Sequence, residues 1–292
     1  MRTLRTISEL RAELDKPRRA GRRIGLVATM GALHEGHLSL IRRARERCEI
    51  VVVTLFINPA QFDEASDLRA YPRDETRDTA LAEAAGADVL FAPATGEIYP
   101  AGFATTVTVS GVSEPLEGRS RGAAHFAGVA TVVAKLLNIA QPDVAFFGQK
   151  DAQQVAVIRR LVRDLDIPVA IEVGPTVREP DGLALSSRNV RLENGRREHA
   201  AALPRALDAA RDAVAGGERD AAAIAAAARA ALATAGVEAE YLELVSPDTF
   251  APVAQIDGEP VLLALAARVG DVRLIDNALL STARPDPPTG SH

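Results

Sequence analysis

Apolar positions along the chain fall into short continuous runs separated by stretches with a helical period. Ile24 to Met30 is apolar apart from Gly25 and Thr29, and Ile50 to Ile57 apart from Thr54. Such runs, lacking strict alternation, are the pattern of parallel strands buried on both faces. Between them Leu38, Leu40, Ile41 and Ala44 share roughly one helical face. The alternation continues with a helix from about Arg73 to Ala85, stopped by Gly86, and a short strand from Asp88 to Phe91. After an interruption from Pro93 to about Arg121 come an apolar helix from Phe126 to about Ala140 and a strand from Val144 to Phe147. A further helix follows Gly148, and Val169 to Val173 completes the series. An amphipathic helix carrying Ile7, Leu10 and Leu14 precedes it. This order predicts an α/β fold, a Rossmann-like doubly wound parallel sheet. Within the interruption, Thr105 to Ser110 alternates weakly and predicts an edge strand; Leu116 to His125 reads as a glycine-rich loop.

From Thr176 the pattern changes. Residues 177–189 show neither a helical nor an alternating period and read as a functional loop. Beyond them lie alanine-rich helices (Glu198 to Ala213, Ala221 to Ala235) split by Gly216 and Gly217, then strands over Tyr241 to Val245 and Val261 to Ala267. We therefore expect a first domain over 1–176 and a small α+β domain over 177–292 that acts as a lid. The proline-rich tail from about residue 282 is expected to be disordered.

Composition adds mainly exclusions. With 34 basic and 39 acidic residues and a net charge of −5, the chain offers no electrostatic reason to expect nucleic acid as a partner. The basic run from Lys16 to Arg23 is a local exception and reads as a solvated loop. One cysteine, Cys48, excludes an internal disulfide framework and fits a reducing cytoplasm. No apolar run reads as long enough to span a bilayer, and the charged start lacks a signal core, so a cytoplasmic protein is expected.

The candidate chemistry gathers where strands end. Met30, Gly31 and Ala32 lead from the first long strand into a helix whose start carries His34 and His37. A helix N-terminus at the carboxyl edge of a sheet favours an anion through its unpaired N–H groups and dipole. Three readings of H-E-G-H compete. A metal site wants a third ligand and the four-residue step of H-E-x-x-H. Capping histidines are the plain alternative. Phosphate binding uses imidazole or imidazolium N–H donors, with Gly36 leaving room for a ligand. Lys150 and Asp151 follow Gly148 at a second helix start, where a cation is disfavoured unless an anion offsets the dipole. Asp151 has three candidate roles there: capping the helix, orienting Lys150, or contacting Mg2+ through water. Asn58 and Gln61 lie just beyond the second long strand and Gln154 just beyond Gly148; the two glutamines are amides suited to a small hydroxy acid. Ser186, Ser187 and Arg188 supply two hydroxyls and a guanidinium from the aperiodic loop. The polar loop from Asp63 to Asp74 is long enough to be a lid or substrate loop.

These stretches resemble one family. T-M-G-A-L-H-E-G-H-L-S-L (29–40) carries the H-x-G-H signature of nucleotidylyltransferases and class I aminoacyl-tRNA synthetases. With F-I-N-P-A-Q-F (56–62), Y-P-R-D (71–74), H-F-A-G-V (125–129), F-F-G-Q-K-D (146–151), T-V-R-E-P-D-G-L-A-L-S-S-R-N (176–189) and R-L-I-D-N (273–277), it resembles the pantothenate synthetase (pantoate–β-alanine ligase) family over nearly the whole chain. The resemblance implies an ATP-dependent ligase condensing pantoate with β-alanine through a pantoyl adenylate, with Mg2+ arriving on ATP and no metal site of the protein's own. It implies that Met30, Gln61 and Gln154 hold pantoate. His34, His37, Lys150, Ser186, Ser187 and Arg188 would hold the ATP phosphates, with His34, His37, Lys150 and Arg188 taken as catalytic. Met30, Gly148, Val177 and Leu185 would also line the ATP site, with Asp151 on the ribose. Asn58, Tyr71 and Arg121 are possible second-substrate or loop contacts, and a homodimer is expected. Three departures stand out: Ala28 where the family usually has proline, Leu185 where methionine is common, and the irregular R-S-R-G-A-A-H at 119–125. A nucleotidylyltransferase that stops at a nucleotide product, and a catalytically silent nucleotide-binding module, are the alternatives.

Overall fold

The structure is a computed structural model and describes residues 1–62, 68–69, 71–192 and 195–282. It comprises two compact units, one of Met1–Val177 with Leu185–Ser187, the other of Arg178–Ala184 with the chain from Arg188 onward.

The first unit contains β1 (Arg2–Leu4), α1 (Ile7–Arg19), β2 (Ile24–Thr29), α2 (Glu35–Arg47), β3 (Ile50–Leu55), α3 (Glu75–Ala84) and β4 (Val89–Phe91). The short helices α4 (Thr95–Ile98) and α5 (Glu117–Arg121) follow, then α6 (Ala123–Ala140), β5 (Val144–Gly148), α7 (Ala152–Asp164) and β6 (Ala170–Gly174). Six strands form one parallel sheet in the order β1-β4-β3-β2-β5-β6. The chain winds outward from β2 through β3 to β4, then returns to β5 on the opposite side of β2. The boundary between β2 and β5 is therefore the topological switch point, beyond whose carboxyl ends ligands bind in open α/β sheets.

Alternate residues of these strands supply two cores. Leu26, Val52, Phe91, Ala145 and Phe147 pack with Leu10, Leu14, Val133, Leu137, Ile158 and Leu161 from α1, α6 and α7. Val27, Val51, Val53, Leu90 and Phe146 pack with Leu33, Ile41, Ala44 and Ala82 around α2 and α3. Burying each large apolar side chain contributes about 1.5–3 kcal/mol, which explains the continuous rather than alternating strand runs.

Several sequence expectations need correction. β1, only three residues long, was not anticipated; it pairs with β4 at the sheet edge. Thr105 to Ser110 forms no strand. Its alternation reflects Val107 and Val109 packing on the core, and the Val107 N–H donates to Thr131 Oγ1 of α6 at 2.9 Å rather than to a neighbouring strand. The basic run is not a loop throughout, because α1 continues through Pro17 to Arg19, placing Lys16, Arg18 and Arg19 in its last turn. Cations there complement the helix dipole, and Arg18 also donates to Ala140 O at 2.8 Å. Residues 117–121 are helical rather than glycine-rich loop, and α6 begins three residues before Phe126. With 18 residues, α6 is also long and apolar enough by composition to cross a membrane, and 67% of it is buried inside the protein as a core helix.

The second unit contains α8 (Arg196–Ala200), α9 (Ala202–Ala215), α10 (Ala221–Thr234) and an antiparallel sheet of β7 (Ala239–Val245), β8 (Val261–Val269) and β9 (Val272–Leu280) in that order. β9 was missed because a tight Gly270–Asp271 turn joins it directly to β8. Small alanines let α9 and α10 pack closely over Leu263, Leu265 and Leu274. Arg178 makes a two-pronged ion pair with the buried Asp276 of β9 at 2.7 and 3.0 Å, tying residues 178–184 to this unit. Half of the loop from Asp63 to Asp74 (residues 63–67 and 70) and all of the tail from residue 283 lie outside the described residues.

Candidate active site at the sheet switch point

The carboxyl ends of β2 and β3 are clamped by a threonine pair. Thr29 Oγ1 donates to Thr54 O at 2.6 Å, and the Thr29 N–H donates to Thr54 Oγ1 at 3.2 Å. The chain then leaves β2 through two left-handed residues, Gly31 (φ +89°) and Ala32 (φ +51°). Alanine resists that conformation, so something must hold it. Asp78 of α3 does so: its buried carboxylate accepts from the Ala32 and Leu33 N–H groups, each at 2.8 Å. Sequence reasoning missed this residue, whose partners lie 45 and 46 positions away.

His34 is the N-cap of α2 and His37 stands three residues later. His34 Nδ1 accepts from the Gly36 N–H at 3.2 Å, and His37 Nδ1 accepts from the His34 N–H at 3.3 Å. Both rings therefore close a reciprocal cap, a job usually done by Ser and Glu. A ring nitrogen that accepts cannot carry the proton, so each neutral imidazole keeps its hydrogen on Nε2. The capping reading and the anion reading of these histidines are thus compatible. The rings lie 4.1 Å apart between centroids. Burial, and then the adjacent His34, push the His37 imidazole down to about 3; Lys150 lowers it further and Asp151 partly offsets this. His37 is a neutral donor rather than an imidazolium. Gly36 has a nearer purpose than admitting a ligand, since a Cβ there would sit 3.0 Å from the His34 ring.

Across the switch point, β5 ends at Gly148 and a single 3-10 turn, Gln149–Asp151, precedes α7. Lys150 and Asp151 thus lie on the approach to the helix rather than within it. Asp151 occupies the N-cap position but makes no side-chain cap bond; its Oδ1 lies 3.6 Å from Lys150 Nζ. Of its candidate roles, capping is not made and contact with Lys150 is. Both residues act electrostatically on His37, which brings the two strand ends into one site.

At the end of β3, Pro59–Gln61 forms a 3-10 turn capped by Asn58. Gln61 Nε2 donates to Met30 Sδ at 3.0 Å, so two of the expected pantoate contacts meet. The turn packs against α6 where Gly128 has no side chain: a Cβ there would fall 2.1 Å from Ala60 O. Asn58 is buried and bonded within the protein to Ala60, Gln61, Gly128 and Tyr99, which makes it a support for Gln61 rather than a surface for a second substrate. Gln154 is half-buried in the first turn of α7. Its buried neighbour Gln153 instead binds Val112 O, Pro115 O and the Glu117 N–H, pinning the segment before α5. Arg121 pairs with Glu117 at 2.8 Å, and Tyr71 packs edge-on to Phe62. Val177 O accepts from the Leu185 N–H at 2.9 Å, which returns Ser186 and Ser187 to the first unit, while Arg188 belongs to the second. Thr176 Oγ1, beside Val177, is buried without a hydrogen-bond partner. Among the described residues no group of three or more His, Cys, Asp or Glu is placed to hold a metal ion.

The model of the pantoate–β-alanine ligase family matches residues 2–279. The chain belongs to the pantoate–β-alanine ligase family. Pantothenate synthetase of Cereibacter sphaeroides is 56% identical over 275 residues, covering 94% of this chain and 98% of that protein. That of Heliobacterium modesticaldum is 51% identical over 281 residues, covering 96% and 99%. The crystal structure of pantothenate synthetase from Thermus thermophilus superposes with a TM-score of 0.89 at 47% identity, covering 95% of this chain and 99% of that one. A pantoate–β-alanine ligase from Francisella tularensis, crystallised with βγ-ATP and β-alanine, superposes with a TM-score of 0.79 at 34% identity, covering 96% and 97%. In this pantoate–β-alanine ligase the sheet topology anticipated from sequence carries the site. The residues to which sequence assigned no role, Asp78, Tyr99, Gly128 and Gln153, support the placement of other residues.

Proposed function

We propose that this chain condenses pantoate with β-alanine at the expense of ATP through a pantoyl adenylate, releasing pyrophosphate and then AMP. The observation that carries this reading is the pair of histidine rings whose Nδ1 atoms are committed to the start of α2, so that Nε2–H is the ring donor. Neutral, preorganised donors strengthen as negative charge grows on phosphate oxygens, without reorganisation during reaction. A carboxylate has no good leaving group, so pantoate attacks the α-phosphorus in line and the mixed anhydride that results expels AMP when the amine arrives. Lys150 is proposed to neutralise phosphate charge, with Ser186, Ser187 and Arg188 adding hydroxyl and guanidinium donors. Met30, Gln61 and Gln154 are proposed to hold pantoate. The backbones of Gly148, Val177 and Leu185 are proposed to line the adenosine, with Asp151 at the ribose.

The donor set suits a Mg2+ ion that keeps its waters and travels with ATP: an exposed carboxylate, Asp151, beside nitrogen donors, with no cluster of three or more His, Cys, Asp or Glu among the described residues. Bound so, the ion would offset phosphate charge. ATP and β-alanine as ligands are supported by the Francisella relative crystallised with βγ-ATP and β-alanine. We also propose that the loop through residues 180–190 orders when ATP binds, and that the enzyme is a cytoplasmic homodimer. The decisive assay is exchange of labelled pyrophosphate into ATP. Exchange requires pantoate and Mg2+ but not β-alanine; exchange that needs β-alanine removes the adenylate.

A further inference from the structure

The amide of Gln61 has only one way round. Backbone groups decide this, because a backbone N–H only donates and a backbone carbonyl only accepts. The Ala60 N–H points at one end of the Asn58 amide at 3.3 Å, which must be Oδ1. Gly128 O faces the other end at 3.1 Å, which must be Nδ2. With Asn58 thus fixed, its Nδ2 also donates to Gln61 at 3.0 Å, so the atom received is Gln61 Oε1. Gln61 Nε2 is left on the Met30 side. The Tyr99 hydroxyl completes the set by donating to Asn58 Oδ1 at 2.8 Å. Asn58 is almost fully buried, and the backbone of Gln61 is held too, its carbonyl accepting from His125 Nδ1 at 2.9 Å.

Resting on the reading of Gln61 as a pantoate contact, we propose that Tyr99 and Asn58 are positioning residues that lock the Gln61 amide with its N–H edge toward the hydroxy acid. The chain runs Tyr99 O–H to Asn58 Oδ1, Asn58 Nδ2–H to Gln61 Oε1, and Gln61 Nε2–H to Met30 Sδ. It makes Gln61 a donor to the substrate's carboxylate or hydroxyl oxygen and never an acceptor. A donor at that point suits an acid, whose oxygens accept, and rejects an analogue presenting an amide N–H in the same place. Ordering the amide before binding spares the entropy of choosing between two orientations. Tyr99 touches no substrate in this scheme and acts through Asn58.

A double-mutant cycle tests this with pantoate-dependent pyrophosphate exchange. Wild type must first show that exchange; if it does not, the function reading fails and the cycle is not reached. Tyr99→Phe removes one neutral hydrogen bond and is expected to raise the KM for pantoate about threefold to tenfold, with the KM for ATP unchanged. In a Gln61→Ala background, Tyr99→Phe is expected to add nothing, because the amide it orients is gone. Asn58→Asp, which can only accept, should turn the Gln61 amide round and raise the pantoate KM more than Tyr99→Phe does. An unchanged pantoate KM in Tyr99→Phe, or the same factor with and without Gln61, overturns the proposal.

Discussion

The two strand-to-helix turns flanking the switch point solve the same problem in opposite ways. After β2 four backbone N–H groups are committed before any ligand arrives: Asp78 takes two, and the imidazoles of His34 and His37 take two more. After β5 the start of α7 has no side-chain cap, and the exposed Asp151 at that position lies 3.6 Å from Lys150 Nζ. The first turn is rigid and offers ring N–H donors. The second leaves its helix dipole without a side-chain cap, where an anion is favoured. Rigid donors suit charge that develops during reaction; an unsatisfied helix start suits charge that is bound throughout.

Substitutions at the two turns should separate these roles. The largest effect is expected for His37→Ala, with His34→Ala beside it: adenylation falls roughly a hundredfold or more, as on removing a preorganised donor. Lys150→Ala should reach a similar loss but carry a raised KM for ATP with it, since its charge acts before as well as during reaction. Equal KM shifts at both turns would erase the distinction. Next is Asp78→Ala, which leaves the Ala32 and Leu33 N–H groups without their acceptor. A loss of about 1–3 kcal/mol in chemical denaturation is expected, with adenylation reduced through the misplaced cap. Asp151→Ala should cost little stability because its side chain caps nothing.

A subtler effect is stability against pH. The folded value for His37, about 3, lies below its ordinary 6.5. Above pH 6.5 both folded and unfolded chains carry a neutral ring, so pH does nothing through this group. Below it the unfolded chain takes up the proton first, and stability falls progressively until the folded ring also titrates near pH 3. His37→Gln should flatten that part of the curve. The smallest expected change is Gly36→Ala, whose added methyl, 3.0 Å from the His34 ring, tilts the cap. A severalfold drop in exchange rate without loss of folding would mark it.

Much of this was legible in the chain because it is local. The buried strands announced themselves by unbroken apolar runs, and H-E-G-H and G-Q-K-D sit beside the strand ends that place them. What was not legible depends on partners far away in sequence. Asp78 reads as an ordinary acidic residue in a first helical turn, and only the fold brings it to Ala32. Tyr99 and Asn58, 41 positions apart, meet because α4 returns past the end of β3. β1 is too short to show a period, and its pairing with β4 supplies the structure that its sequence does not. Thr105 to Ser110 shows the converse: alternation came from two valines seated on the core without any strand partner.

The central claim is that the turn after β2 presents neutral imidazoles protonated on Nε2. Nitrogen-15 NMR of the labelled histidines, assigned with His34→Gln and His37→Gln, measures this directly in the ligand-free protein. The account predicts that both rings are Nε2–H tautomers at pH 7 and that His37 is still neutral at pH 5. A His37 imidazolium at pH 6, or a proton found on Nδ1 of either ring at pH 7, contradicts it.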